Sequence, residues 1–117
     1  MTKITVYGIP NCDTIKKTLD WFKQNKLSVA FHDYKKEGVS KEKLTAWIKL
    51  TGVDILLNKK STTWRGLSTG EQAKSSTQAG AIKLMMQHNS LIKRPVVEFA
   101  DKLLVGFNEN EFKGAFK

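Results

Sequence analysis

The sequence predicts an α/β fold, and three observations carry that prediction. An apolar, β-prone run, Ile4-Thr5-Val6-Tyr7, passes through the turn chemistry of Gly8-Ile9-Pro10-Asn11 into an amphipathic segment. From about residue 40 to about residue 90 the pattern is helical, with caps and stripes and no alternating run. Beyond Pro95, two short β-prone runs flank Ala100-Asp101-Lys102, which is the signature of a hairpin.

The elements follow in order. Residues 4–7 form the first strand. Ile15, Leu19 and Phe22, spaced by four and three, form the apolar stripe of a helix whose other face carries Lys16, Lys17, Lys23 and Lys26, and Asn25-Lys26 ends it. Residues 29–32 read as a second strand, with Lys35-Lys36-Glu37-Gly38 as the exposed turn beyond it. Ser40 caps a helix holding Leu44, Trp47 and Ile48 that Gly52 closes, and a shorter helix runs through Ile55, Leu56 and Leu57. Ser68 and Glu71 stand at capping-box spacing, and Ala79, Ile82 and Met86 mark a helix ending near Asn89. Strands at 96–99 and 103–105 follow, and Asn108 with Glu111 caps a last helix holding Phe112 and Phe116. No repeat, low-complexity stretch or linker interrupts the chain, so residues 1–117 are expected to make one domain, with a helical insertion at about 40–90 between the second and third strands.

Composition narrows the function. The single cysteine, Cys12, cannot close an internal disulfide, so stability must come from packing. No apolar run approaches the length of a membrane span, and the first strand begins almost at Met1, leaving no room for a signal peptide. The expectation is a cytoplasmic protein with no membrane contact, since a reducing compartment suits an exposed thiol. One cysteine and two distant histidines make no metal site, and no glycine-rich phosphate loop is present, so no metal and no tightly bound cofactor are expected. His32 sits within a strand and His88 near a helix end, where the dipole favours a surface cation; neither is read as catalytic. The net charge is +9, yet only Arg65 and Arg94 of the 20 basic residues are arginine. Lysine serves as a solvated surface open to an acidic protein partner, and no aromatic-and-basic motif supports specific nucleic-acid binding. Arginine offers a planar donor fork for carboxylates and oxyanions.

Cys12 stands where the strand hands over to the helix. Backbone N–H groups at a helix start lack intrahelical partners and carry partial positive charge, so an anion is favoured there. An unperturbed cysteine of pKa about 8.5 is only ~3% thiolate at pH 7, so such a setting raises the nucleophilic fraction. A lone cysteine is also commonly a buried, inert thiol, and periodicity alone does not separate the two readings.

The run Tyr7-Gly8-Ile9-Pro10-Asn11-Cys12-Asp13-Thr14-Ile15-Lys16-Lys17 resembles the active-site loop of the ArsC-like branch of the thioredoxin superfamily, which includes arsenate reductase, the Spx regulators and the YffB group. The resemblance extends almost end to end. Phe31-His32-Asp33-Tyr34, Leu56-Leu57-Asn58, Thr62-Thr63-Trp64-Arg65, Ile92-Lys93-Arg94-Pro95 and Leu104-Val105-Gly106-Phe107-Asn108-Glu109 stand in the family's order and spacing. It is greatest to the YffB-like group, through Asn11-Cys12-Asp13-Thr14 and Thr62-Thr63-Trp64-Arg65.

The resemblance implies a thioredoxin-like fold with a short mixed four-stranded sheet. It also implies a glutathione-dependent thiol reductase with Cys12 as nucleophile, glutathione or another low-molecular-weight thiol as co-substrate, and a thiol or oxyanion as substrate. Arg94, before the motif proline Pro95, is implied to lie near the nucleophile as the anion contact, with Pro95 in the cis form. Asn11, Asp13, Thr14, Lys60 and Arg65 are implied to complete the substrate or glutathione site. Asp13 either opposes the thiolate or holds helix-start N–H groups. Arg65 and Lys59-Lys60 either hold glutathione carboxylates and favour the thiolate or are solvated loop charge, and Trp64 packs on the active-site side or in a rim.

The chain also departs from the family's variants. Arsenate reductase carries a histidine where this chain has Gly8, and of its arginine trio only Arg94 is clearly matched, the other positions falling near Asn58 and on Val105. Arsenate reduction is therefore less favoured than thiol exchange, although Lys59 or Lys60 partly compensates. The Spx regulators carry Cys-x-x-Cys, and Ile15 takes the second position here, which excludes an internal dithiol switch. The cycle expected is monothiol. The alternatives are an arsenate reductase-like oxyanion reductase and an Spx-like interaction protein, the latter sensing oxidants through Cys12 without turnover.

Overall fold

A computed structural model of the protein describes residues 3–10 and 12–116. The chain divides into two compact units, one made of Met1–Asp33 with Arg94–Lys117 and the other of Tyr34–Lys93.

The first unit holds the sheet. Strand β1 (Ile4–Gly8) leads to helix α1 (Asp13–Gln24) and then to β2 (Ala30–Asp33); β3 (Val96–Phe99) and β4 (Lys102–Val105) form the hairpin. Strand order is β2-β1-β3-β4, with β1 parallel to β2 and antiparallel to β3. This mixed four-stranded sheet, with α1 between β1 and β2 and a run of helices between β2 and β3, is the α/β arrangement the resemblance implied. Period two puts Ile4, Val6 and Gly8 on one face, and the register adds Phe99 and Val97 opposite Ile4 and Val6, with Leu104 opposite Val97. Helix α1 covers that face with Trp21 and Phe22, and the last helix of the chain (Glu109–Phe116) adds Phe112; Ile4, Val6, Trp21, Phe22, Val97 and Phe112 form one buried cluster. The Trp21 and Phe112 rings meet edge to face at 5.3 Å, and Phe99, Phe107 and Phe116 close the rim. On the opposite face the Tyr7 hydroxyl donates to Glu98 Oε1 at 3.0 Å.

The second unit is helical: α2 (Tyr34–Glu37), α3 (Lys41–Thr51), α4 (Val53–Leu56), α5 (Thr62–Gly66), α6 (Thr69–Ala73) and α7 (Gln78–Gln87), with α8 being the Glu109–Phe116 helix of the first unit. The starts of α3, α5, α6 and α7 are capped by short hydroxyl side chains, which suits a unit made of many short helices. Ser40 accepts from the Lys43 N–H, Ser61 from Trp64, Ser68 from Glu71 and Thr77 from Gly80. An isolated bridge between Leu57 and Ile92 closes the unit, with Asn58 N–H donating to Leu91 O at 2.7 Å and Lys93 N–H to Leu56 O at 2.9 Å. Leu44, Trp47, Leu56, Leu84, Met85 and Leu91 are among its fully buried residues.

Three sequence expectations change. The stretch 35–38 is not a turn: Lys35, Lys36 and Glu37 belong to α2, and Gly38 follows at φ 66°, in the left-handed region that ends a helix. The second strand begins one residue later than the propensity of Val29 suggests, because pairing with β1 starts at Ala30. In α7 the buried residues are Ala81, Ile82, Leu84 and Met85, while Met86 is 45% exposed and Ala79 is also exposed. Thr62-Thr63-Trp64-Arg65, a motif given no element from the sequence, forms the helix α5.

Candidate active site

Cys12 is the N-cap of α1, with extended backbone (φ −101°, ψ 131°), and its carbonyl accepts the first intrahelical bond from the Lys16 N–H at 3.0 Å. Its side chain is half-buried and its thiol is free. Burial acts to raise its pKa; against that, the Ile15 and Thr14 N–H groups and then the Arg94 guanidinium lower it, and the net result lies below the ordinary cysteine value. The sulfur makes no regular capping hydrogen bond. The N–H groups act as dipoles aimed at an anion at the helix start, which is how such a position stabilises a thiolate.

Arg94 comes from the other end of the first unit, immediately before β3, and the Arg94–Pro95 peptide bond is cis, as the resemblance implied. Pro95 is buried, and its carbonyl accepts from the Gly106 N–H at 2.8 Å. Arg94 hydrogen-bonds to Cys12 and attracts it electrostatically, while its Nη1 is buried with no partner among the described residues. A buried guanidinium nitrogen without an acceptor is costly unless an anion meets it.

Thr14 is half-buried, and its carbonyl accepts from the Thr18 hydroxyl at 2.7 Å, which satisfies a polar side chain that is wholly buried. Asp13 is exposed in the first turn, and Asn11 lies outside the described residues. Cys12, Thr14 and Arg94 therefore come together within the first unit. Lys60 and Arg65 belong to the second unit, where both are exposed. There the Lys60 N–H donates to Asn58 Oδ1 at 3.1 Å, and Lys59 Nζ lies 5.5 Å from the centroid of the half-buried Trp64 ring. His32 packs on Tyr7 with ring centroids 4.8 Å apart, and His88 is the C-cap of α7. Among the described residues no group of three or more His, Cys, Asp or Glu side chains is placed to hold a metal ion, and no helix is long and apolar enough to cross a membrane.

Sequence reasoning missed Gly8. A Cβ there would overlap the side chain of Ile15, lying 2.9 Å from its Cγ1 and nearer still to its Cδ1, and would stand 3.7 Å from Arg94 Cβ. The signal was available in the strand period, which sets Gly8 on the helix-facing side with Ile4 and Val6.

A thiol at a helix start on a mixed four-stranded sheet, facing an arginine before a cis-proline, defines a protein of the thioredoxin-like class. The ArsC family matches residues 7–115, and the chain belongs to that family. An uncharacterized protein of Haemophilus influenzae is 44% identical over 114 residues, covering 97% of this chain and 98% of its own. The solved structure of a YffB protein superposes with a TM-score of 0.94 at 38% identity, covering 98% of this chain and 100% of that one. An arsenate reductase related protein from Brucella melitensis is 40% identical with a TM-score of 0.76, covering 98% and 95%. The likeness to the YffB group read from the sequence is thus present in sequence and structure.

Proposed function

We propose that this protein is a cytoplasmic monothiol reductase that works by thiol-disulfide exchange through Cys12, with glutathione as co-substrate. The observation that carries the reading is the setting of Cys12, where helix-start N–H groups and Arg94 outweigh burial and favour the thiolate. The thiolate attacks one sulfur of a mixed disulfide of substrate and glutathione; a Cys12–glutathione S–S bond forms and the substrate leaves as its thiolate. A second glutathione thiolate attacks that bond, releasing Cys12 and forming glutathione disulfide. The one incoming glutathione thiolate supplies the two electrons, because the glutathione of the mixed disulfide enters already oxidised, and the substrate thiolate takes up a proton from water. Because the chain has a single cysteine, the external thiol is obligatory.

Arg94 Nη1, buried without an acceptor among the described residues, suits a carboxylate of the incoming thiol. Thr14, Asp13 and Pro95, which lie in the same unit, would shape that site. Arsenate reduction is less favoured because Arg94 alone matches the arginine trio.

The test is turnover of a glutathionylated peptide by the full chain with glutathione, followed by intact mass. A single glutathione adduct on Cys12 and complete loss of turnover in Cys12→Ser are expected. Full turnover in Cys12→Ser would falsify the mechanism, and an adduct without turnover would favour the redox-sensing interaction protein.

A further inference from the structure

Helix α1 runs back along β1, with Phe22 and Trp21 packed in the cluster that contains Ile4 and Val6 and with Ile15 against Gly8. Each residue along that face of β1 thus meets a large helix side chain, and at position 8 there is no strand side chain at all. Gly8 is buried, and its φ is not in the left-handed region, so the backbone conformation does not require glycine. The space does. A Cβ would overlap Ile15 at Cδ1 and lie 2.9 Å from its Cγ1, which sits one bond from the helix-bound Cβ. Ile15 is 2% exposed and β-branched, so its side chain has one favoured rotamer in a helix and, in a close-packed interior, little room to swing. Relief must come from the backbone of the first turn.

We propose that Gly8 is a positioning residue for Cys12: the missing side chain lets the first turn of α1 seat against β1, which holds the Thr14 and Ile15 N–H groups at the sulfur and leaves the Arg94 stem in contact on the other side. The inference rests on the reading of Cys12 as the working nucleophile. It adds that the spacing of helix and strand at one glycine sets how strongly the site favours an anion. The Ile15 N–H is the leading group that lowers the Cys12 pKa, so a small retreat of this turn acts on the largest favourable contribution.

The experiment is the pH dependence of iodoacetamide alkylation, which has one target in this chain, read by intact mass together with thermal unfolding. The native chain, Gly8→Ala, Ile15→Ala and Gly8→Ala/Ile15→Ala are compared. Gly8→Ala is expected to move the alkylation midpoint upward and slow the reaction at pH 7 by about threefold or more, as half a pKa unit does. With Ile15→Ala already present, adding Gly8→Ala is expected to change nothing, because the overlapping atoms are gone. If Gly8→Ala does not fold, Gly8→Ala/Ile15→Val takes its place, with the Cδ1 overlap removed and the Cγ1 crowding kept. Its midpoint should exceed that of Ile15→Val. An unchanged midpoint in folded Gly8→Ala, or in that double variant relative to Ile15→Val, overturns the inference, as does a shift that persists in the Ile15→Ala background. An ordinary thiol midpoint in the native chain would instead overturn the reading of Cys12 as activated, before any variant is considered.

Discussion

At Cys12, burial and hydrogen-bond donors push in opposite directions on one sulfur, and the donors prevail. That balance links to stability with a definite sign. Below the lowered native pKa the thiol is protonated in both folded and unfolded chains and contributes nothing; above it the folded chain holds the thiolate while the unfolded chain still binds the proton. Stability relative to Cys12→Ser should therefore rise with pH through that window, reach its full gain above about 8.5, and be lost as pH falls through the native value. Denaturant midpoints at several pH values, taken on the reduced protein, check this; a flat difference would sink it. For Arg94→Ala, removal of a charge-assisted contact worth about 1.5 kcal/mol predicts a KM for glutathione raised roughly tenfold. Its unfolding temperature should change little, and an unchanged KM would remove Arg94 from the site. Cys12 stood out in the sequence as the one thiol, whereas Arg94, one of two arginines, was singled out through the resemblance. Gly8 was not, since a glycine before Ile9-Pro10 reads as turn chemistry and its function lies in what it leaves empty.

Among the elements, caps were the most readable feature, because a hydroxyl or amide three residues from its target is a local pattern. Ser40, Ser68 and Asn108 all act as read, Asn108 Oδ1 accepting from the Glu111 N–H at 3.0 Å. The phase of α7 was harder: Ala79, Ile82 and Met86 make as good a stripe as the residues that are buried, and only packing chooses between them. The end of α1 holds a residue the local rules disfavour. Lys26 takes φ 58°, and beyond it the Leu27 N–H donates to Phe22 O at 2.9 Å, the closing bond of a helix terminus that ordinarily uses glycine. Lys26→Gly should stabilise the protein by about 0.5–1 kcal/mol in a denaturant titration, since relief of the left-handed strain exceeds the entropy lost. In α7 the opposite holds at Gly80. A Cβ there would overlap Lys74 O and lie 2.9 Å from Lys74 C, so Gly80→Ala should cost about 1–3 kcal/mol, checked by the same titration.

At the scale of the molecule, the chain leaves the sheet after β2, builds a helical unit and returns to complete the sheet at β3. Strand number and the place of the insertion were legible from propensity, caps and stripes, and mixed pairing through the resemblance; the two-part organisation was not, because no linker composition marks it. One cooperative domain, as the sequence predicts, requires both units to melt together. Trp21 reports on the first unit, and Trp47 and Trp64 report on the second. Fluorescence melts of Trp21→Phe and of Trp47→Phe/Trp64→Phe should each coincide with the far-ultraviolet melt of the same variant; separate midpoints would show two domains. The aromatic cluster around Trp21 and Phe112 makes the chain unusually easy to watch in parts. All six phenylalanines fall in the sheet unit, whereas Met85 and Met86 fall in the helical one. Fluorine-labelled phenylalanine and the labelled methyls of Met85 and Met86 in one sample would thus give two colours of resonance, each reporting on its own half while a disulfide is handed from substrate to glutathione.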